Sequence, residues 1–144
     1  MIAIAAALSL LAQAEAAPET WREVASEAGA VLSLGEPDNA MIQIRCVRRG
    51  VVRADLAGLY TGEGPQPHRV TVSSARARAS YRLSFGADDQ GRFSAEIPAT
   101  APVMASFQRT GELNFRARNV HLESNAASAP EIAVIAGFLA RCRG

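Results

Sequence analysis

Cysteine stands at two positions in this chain of 144 residues, Cys46 and Cys142, and the two positions frame most of it. Each falls on an apolar face. From Ala40 to Val47, Ile42, Ile44 and Cys46 alternate with Met41, Gln43 and Arg45, the period of a strand with one buried side. Near the end of the chain, Ile132, Ile135, Leu139 and Cys142 recur at helical spacing. An even pair of thiols on two core-facing elements predicts one disulfide, Cys46–Cys142, tying an early strand to a C-terminal helix.

A disulfide needs an oxidising compartment, and the N-terminus supplies a reason to expect one. The apolar run Ile2 to Leu11 is followed by Ala12-Gln13-Ala14, the small-x-small pattern of a signal peptidase site. The run is too short to span a bilayer, which takes about 20 apolar residues. The expected organisation is a signal peptide over 1–14 cut after Ala14, a linker over 15–20, and one domain over 21–144. No cysteine lies near the cut, so a lipid anchor there is not expected. All fifteen cationic side chains are arginine, the mark of a GC-rich bacterial genome. The expected location is the periplasm, with no transmembrane segment in the mature chain.

Strand signals fill the middle of the domain. Trp21 opens it. Val24 and Val31 to Leu34 flank a turn at Glu27-Ala28-Gly29, and Gly35-Glu36-Pro37-Asp38-Asn39 is a strong turn. Arg48-Arg49-Gly50 closes a hairpin as a three-residue loop, which places Cys46 opposite Val52 and Arg45 opposite Arg53. Leu59 to Pro67 is a Gly/Pro loop, followed by a strand at Val70-Thr71-Val72. Arg76 to Phe85 alternates cleanly, with Ala77, Ala79, Tyr81, Leu83 and Phe85 on one face and Arg76, Arg78, Ser80, Arg82 and Ser84 on the other. A sheet with one wet face produces that pattern. After an Asp88–Gly91 turn comes a strand marked by Phe93, Ala95 and Ile97. Pro102 starts a helix that Gly111 ends. Leu113, Phe115 and Ala117 form a strand that Val120 and Leu122 extend. Ser128-Ala129-Pro130-Glu131 is a capping box for the last helix. The predicted fold is mainly β: an antiparallel sandwich or half-open barrel of seven to nine strands, with a short helix, a C-terminal helix and one disulfide.

The chemistry expected of this chain is sparse. His68 sits in the Pro-rich loop, and His121 lies between Val120 and Leu122 facing water. Neither has a carboxylate or thiol at ligand spacing, so no metal and no cofactor are expected. The paired carboxylates Glu36/Asp38 and Asp88/Asp89 fall in turns, where Asp serves the backbone. Phosphate-loop, zinc-protease and nucleophile-elbow motifs do not occur. Arginine placement is the remaining signal. Arg45 and Arg53 are expected across from one another, and Arg76, Arg78 and Arg82 form a second row. If the strands adjoin, Arg45, Arg53, Arg78 and Arg82 make an anion-binding face, because guanidinium forks suit phosphate and carboxylate. A net charge of +1 and few aromatic residues argue against nucleic acid.

The segments MIQIRC and PEIAVIAGFLARC, with the β-rich stretch between them, resemble small exported alphaproteobacterial domains of unknown function. More distantly the chain resembles the VasI/TagO-type accessory proteins of type VI secretion, which also place one cysteine at the end of an early strand and another at the end of a C-terminal helix. The resemblance implies no catalytic residues. The expected role is a non-enzymatic periplasmic binding or accessory domain, its partner an envelope protein or an anionic envelope component. The alternatives are an inhibitor of a cell-wall-degrading enzyme, using a loop such as Thr61 to Pro67, and a small envelope hydrolase built on His68 or His121 and a carboxylate.

Overall fold

The structure, a computed structural model, describes residues 19–59, 64–85 and 92–144. The expected leader and cleavage site, the residues Thr61 to Glu63 and the Asp88–Gly91 turn lie outside the described residues. Ten strands and two helices follow one another as β1 (Trp21–Ser26), β2 (Gly29–Leu34), β3 (Ile42–Arg48), β4 (Val51–Leu56), β5 (Arg69–Ser74), β6 (Ala77–Arg82), β7 (Ser84–Phe85), β8 (Phe93–Pro98), α1 (Pro102–Thr110), β9 (Leu113–Ala117), β10 (Val120–Ser124) and α2 (Ala129–Arg143). All strand pairs are antiparallel. They build a six-stranded sheet in the order β1-β2-β3-β4-β8-β7 and a four-stranded sheet in the order β10-β9-β5-β6. The result is a sandwich rather than a closed barrel.

The alternation in sequence explains the layers. Ile42 and Ile44 of β3, Val52, Ala54 and Leu56 of β4, and Phe93, Ala95 and Ile97 of β8 all point inward and are buried. Val70 and Val72 of β5 and Leu113 and Phe115 of β9 meet them from the second sheet. Each such Leu, Ile or Phe contributes about 1.5–3 kcal/mol when fully buried. Helix α1 packs on β5 through a buried hydroxyl pair: Ser74 Oγ donates to Ser106 Oγ (2.9 Å), and Ser106 Oγ donates to the Ser74 carbonyl (2.9 Å). Helix α2 buries Ile135, Phe138, Leu139 and Cys142 against α1 and β1.

The expected register of the β3–β4 hairpin holds, with Cys46 opposite Val52 and Arg45 opposite Arg53. The loop differs from the expectation. Arg48 already pairs with Val51, so the turn is Arg49-Gly50 and Val47 is the extra residue of a bulge. Gly50 has φ 79°, the left-handed conformation expected of it.

Two expectations of single strands are corrected. The run Arg76 to Phe85 is not one strand: β6 ends at Arg82 in the four-stranded sheet, and β7 begins at Ser84 in the six-stranded one. Leu83 makes the corner, its N–H donating to the His68 carbonyl (2.8 Å). Phe85 therefore lies at a sheet edge rather than in the core, its ring 5.0 Å from that of Phe93 and its side largely open to solvent. The stretch from Leu113 to Leu122 is likewise two strands. Arg118 takes φ 51° in a two-residue turn with Asn119, and Ala117 pairs with Val120.

The predicted disulfide is present, joining Cys46 and Cys142 with Cα atoms 5.6 Å apart. Cys142 is buried at 3% exposure, as its helical face requires. Cys46 is not buried with Ile42 and Ile44, although it shares their parity, because the bulge lies just beyond it and the strand leaves the core there. The Gly50 N–H donates to the Cys142 carbonyl (2.7 Å), so backbone and disulfide fasten the end of α2 to the same hairpin.

Two experiments follow from these fastenings. The bond closes a sequence separation of 96 residues, for which the chain-entropy model gives roughly 4–5 kcal/mol. The Cys46→Ser/Cys142→Ser protein should lose stability of that order in denaturant titration. Exposure of Cys46 should let a thiol reductant produce the same loss in the wild type without prior unfolding; an unchanged midpoint after reduction would contradict it. The second concerns Glu131. Its carboxylate accepts from the Ser128 N–H (2.7 Å), the Ser128 hydroxyl (2.7 Å) and the Trp21 N–H (3.0 Å). Burial alone would raise its pKa, but the hydrogen bonds from Ser128 and Trp21 outweigh it and hold the group below the ordinary glutamate range. A lowered folded-state pKa stabilises above the unfolded value, about 4.3, and that contribution disappears as pH falls through the folded one. The stability gap between wild type and Glu131→Gln should therefore be constant near neutral pH and close at acid pH below that value.

Candidate anion-binding groove

The four predicted arginines do not share a face. Arg45 and Arg53 lie on the outer side of the six-stranded sheet, on β3 and β4; Arg78 and Arg82 lie on β6 at the edge of the other sheet. The two environments differ in charge balance.

On the six-stranded sheet the arginines are answered. Asp55, its side chain 12% exposed, sits between Arg45 Nε (3.0 Å) and Arg53 Nε (3.2 Å). Both Nε atoms are buried and at ion-pair distance, but their N–H bonds are out of line with the carboxylate, so the contact is Coulombic rather than a hydrogen bond. Arg53 also faces Glu96 across the β4–β8 ladder. Glu96 in turn takes two parallel hydrogen bonds from Arg48, at 3.1 and 3.0 Å. That fork lowers the Glu96 pKa and raises that of Arg48. The expected like-charge repulsion between Arg45 and Arg53 is thus relieved within the sheet, by one carboxylate placed two residues along β4 from Arg53.

The outer face of the four-stranded sheet is different. Its register sets out rows of side chains: Arg78, Ser73, Asn114 and Glu123 in one, Ser80, Thr71, Arg116 and His121 in the next, then Arg82 and Arg69. The central strand β5 presents short hydroxyls, Thr71 and Ser73, while the strands on either side carry long arginines. Short residues flanked by long ones make a trough. The trough is an open groove of about 460 Å³, walled by Arg76 and Arg78 on one side and Arg116 and His121 on the other, with Asn114 beside Ser73. Arg76 enters from the β5–β6 turn, where Ala75 takes φ 50°. Among the described residues, Arg76, Arg78, Arg82 and Arg116 make no ion pair and no hydrogen bond. Arg69 is partly committed, donating to the Ser80 hydroxyl (3.1 Å) and carbonyl (3.2 Å). Among the described residues no carboxylate lines the groove; Glu112, which accepts from Asn114 Nδ2 (3.3 Å), and Glu123 stand at its margin.

Arg116 is the residue the sequence reading missed. Its signal was present, as the polar partner of Phe115 and Ala117 in β9, but the pairing of β9 with β5 is what places it beside Thr71, across β5 from the strand that carries Arg78. His121 does face water, and it lines the groove. Its Nε2 is 3.9 Å from Glu123, beyond hydrogen-bond reach, and it makes no hydrogen bond to Thr71 or Ser73. His68 is an exposed loop residue away from this groove. Of the paired carboxylates, Glu36 pairs with Arg22 (2.7 Å), and Asp88/Asp89 lie outside the described residues. Among the described residues no three His, Cys, Asp or Glu side chains are placed to hold a metal ion, and no helix is long and apolar enough to cross a membrane. Comparison of the chain with protein-family models, curated proteins and solved structures returned no match.

The compensated face makes a prediction. Asp55→Asn should leave Arg45 and Arg53 facing each other with one fewer countercharge and cost about 1 kcal/mol, the scale of a partly screened ion pair. Adding Arg45→Gln should recover part of the loss, and so should high salt, since screening acts over about 8–10 Å. Equal stability of Asp55→Asn and wild type in low salt would show that the pairing has no energetic role.

Proposed function

We propose that this chain is a non-enzymatic anion-binding domain of the bacterial envelope, exported to the periplasm and held rigid by its disulfide. The observation that carries the proposal is the contrast between the two outer faces. One sheet neutralises its arginines internally; the other gathers guanidinium groups around a trough of hydroxyls and leaves them without countercharge. Like charges gathered on either side of β5 repel one another, and a bound anion relieves that repulsion. Arginine is suited to the task because its planar fork makes paired hydrogen bonds to oxyanions. Except for Ala75 and Arg76 in the β5–β6 turn, the trough's residues lie on strands, so the backbone that carries its donors is set before the ligand arrives. The Cys46–Cys142 bond fits an oxidising compartment, in keeping with the apolar leader. Among the described residues His121 makes no hydrogen bond to the Thr71 or Ser73 hydroxyl, so neither is activated as a nucleophile, which favours binding over turnover.

The test is retention of the purified protein on a phosphate-bearing matrix and on an uncharged one, at low and high salt. The wild type should be retained on the phosphate matrix and released by salt. Arg78→Ala/Arg116→Ala should elute early, while Arg45→Ala/Arg53→Ala should behave as wild type. Equal loss in both double variants would reduce the effect to net charge and refute the groove as the site.

A further inference from the structure

We infer that the ligand of this groove is a compact phosphate monoester carried on a soluble polyhydroxylated group, a sugar phosphate by chemical class; the inference rests on the anion-binding reading of the same site. Four features of the lining select it. First, Arg78 on β6 and Arg116 on β9 flank β5, the strands two spacings or about 10 Å apart, and are offset along it by two residues, Arg78 facing Ser73 and Arg116 facing Thr71. Long guanidinium side chains can reach one small oxyanion across that span, whereas an extended chain of anions would find only these two rows. Second, the charge suits a dianion. Three guanidinium groups, from Arg76, Arg78 and Arg116, line the groove with no carboxylate among them, and a phosphate monoester carries about −1.5 to −2 at neutral pH where a carboxylate carries one charge. Third, the floor between the arginines is Thr71 and Ser73 with the Asn114 amide beside them. These groups both donate and accept, which suits the hydroxyls of a sugar, whereas phosphate oxygens use only their donors. Fourth, among the described residues no Phe, Tyr or Trp and no large aliphatic side chain lines the groove, so nothing there could receive an acyl chain. The same point disfavours a bilayer headgroup. The exposed large apolar residues, Met41 and Phe85, are on the six-stranded sheet and its approaches, not around the groove, so no apolar rim is available to enter a membrane. Glu112 and Glu123 at the margin add a repulsive limit against longer polyanions.

The experiment is calorimetric or NMR titration of the protein with glucose 1-phosphate, inorganic phosphate, glucuronate and glucose, and flotation with phosphatidylglycerol vesicles. Glucose 1-phosphate should bind at least several-fold more tightly than inorganic phosphate or glucuronate, and glucose should not bind. Arg116→Ala should weaken it by roughly tenfold or more, the loss of a charged hydrogen bond. Thr71→Val/Ser73→Ala should abolish the preference over inorganic phosphate while leaving phosphate affinity in place. Equal affinity for sugar phosphate and inorganic phosphate would overturn the sugar phosphate and leave the anion site standing. Vesicle binding that exceeds sugar-phosphate binding would overturn the soluble source in favour of a lipid headgroup. Binding to none of the anions would overturn the anion-binding reading itself, and this inference with it.

Discussion

Gly111 carries the contact on which the layers of this domain depend. Its carbonyl accepts a hydrogen bond from the Trp21 indole (3.1 Å) and another from the Ser124 hydroxyl (3.1 Å). Its N–H closes α1 on the Phe107 carbonyl (2.7 Å), with φ 71°. The first strand of one sheet, the last strand of the other and the end of α1 therefore meet at one residue. Helix α2 joins through Glu131, which holds the Trp21 N–H, and the segment ahead of it through Ala127, whose methyl group packs where a side chain at position 111 would have to go. Only glycine fulfils both demands, left-handed backbone and absent Cβ. The buried indole, edge-on to Phe107 at 4.9 Å between centroids, brings large apolar area and one polar hydrogen that must be satisfied. Its satisfaction fixes the angle at which β1 leaves the junction.

The disulfide acts at the opposite end of α2. Glu131 fastens the start of the helix to β1, and Cys142 fastens its end to the β3–β4 hairpin. Between them the pair Arg141–Glu23 ties the exposed side of α2 to β1. A helix held at both ends cannot slide or peel from the sandwich. The rigid frame leaves β5, β6 and β9 free to display polar side chains on their outer surface at no cost to the core, because every second residue of those strands is already anchored inside.

The two arginine faces show how a sequence row acquires meaning from its neighbours. Arg45 and Arg53 looked alike to Arg78 and Arg82 as wet-face residues of alternating strands. In the fold, β4 places Asp55 between the first two, and β8 adds Glu96. On the four-stranded sheet the neighbours of β6 and β9 are the hydroxyls of β5. Solvation free energy and Coulombic repulsion are therefore distributed unequally over two surfaces of similar composition.

What the sequence determined by itself was local and periodic. The alternation of Ile42, Ile44 and Cys46, the glycine at 111, the capping box at Ser128 and the helical spacing of Cys142 are short-range signals, and the fold class, the Cys46–Cys142 bond and the Arg45–Arg53 register followed from them. The tertiary structure decided what depends on which strand lies beside which. Period two cannot reveal that the run through Leu83 turns a corner into a second sheet, nor that Arg118 and Asn119 fold one apparent strand back into two, because a bend changes the neighbours of a residue without changing its parity. Nor can it show that the bulge at Val47 carries Cys46 out of the core its parity assigned it to. Arg116 entered the groove for the same reason: β9 and β5 are distant in sequence, and only their hydrogen-bonded pairing sets it beside Thr71 on the far side of β5 from Arg78.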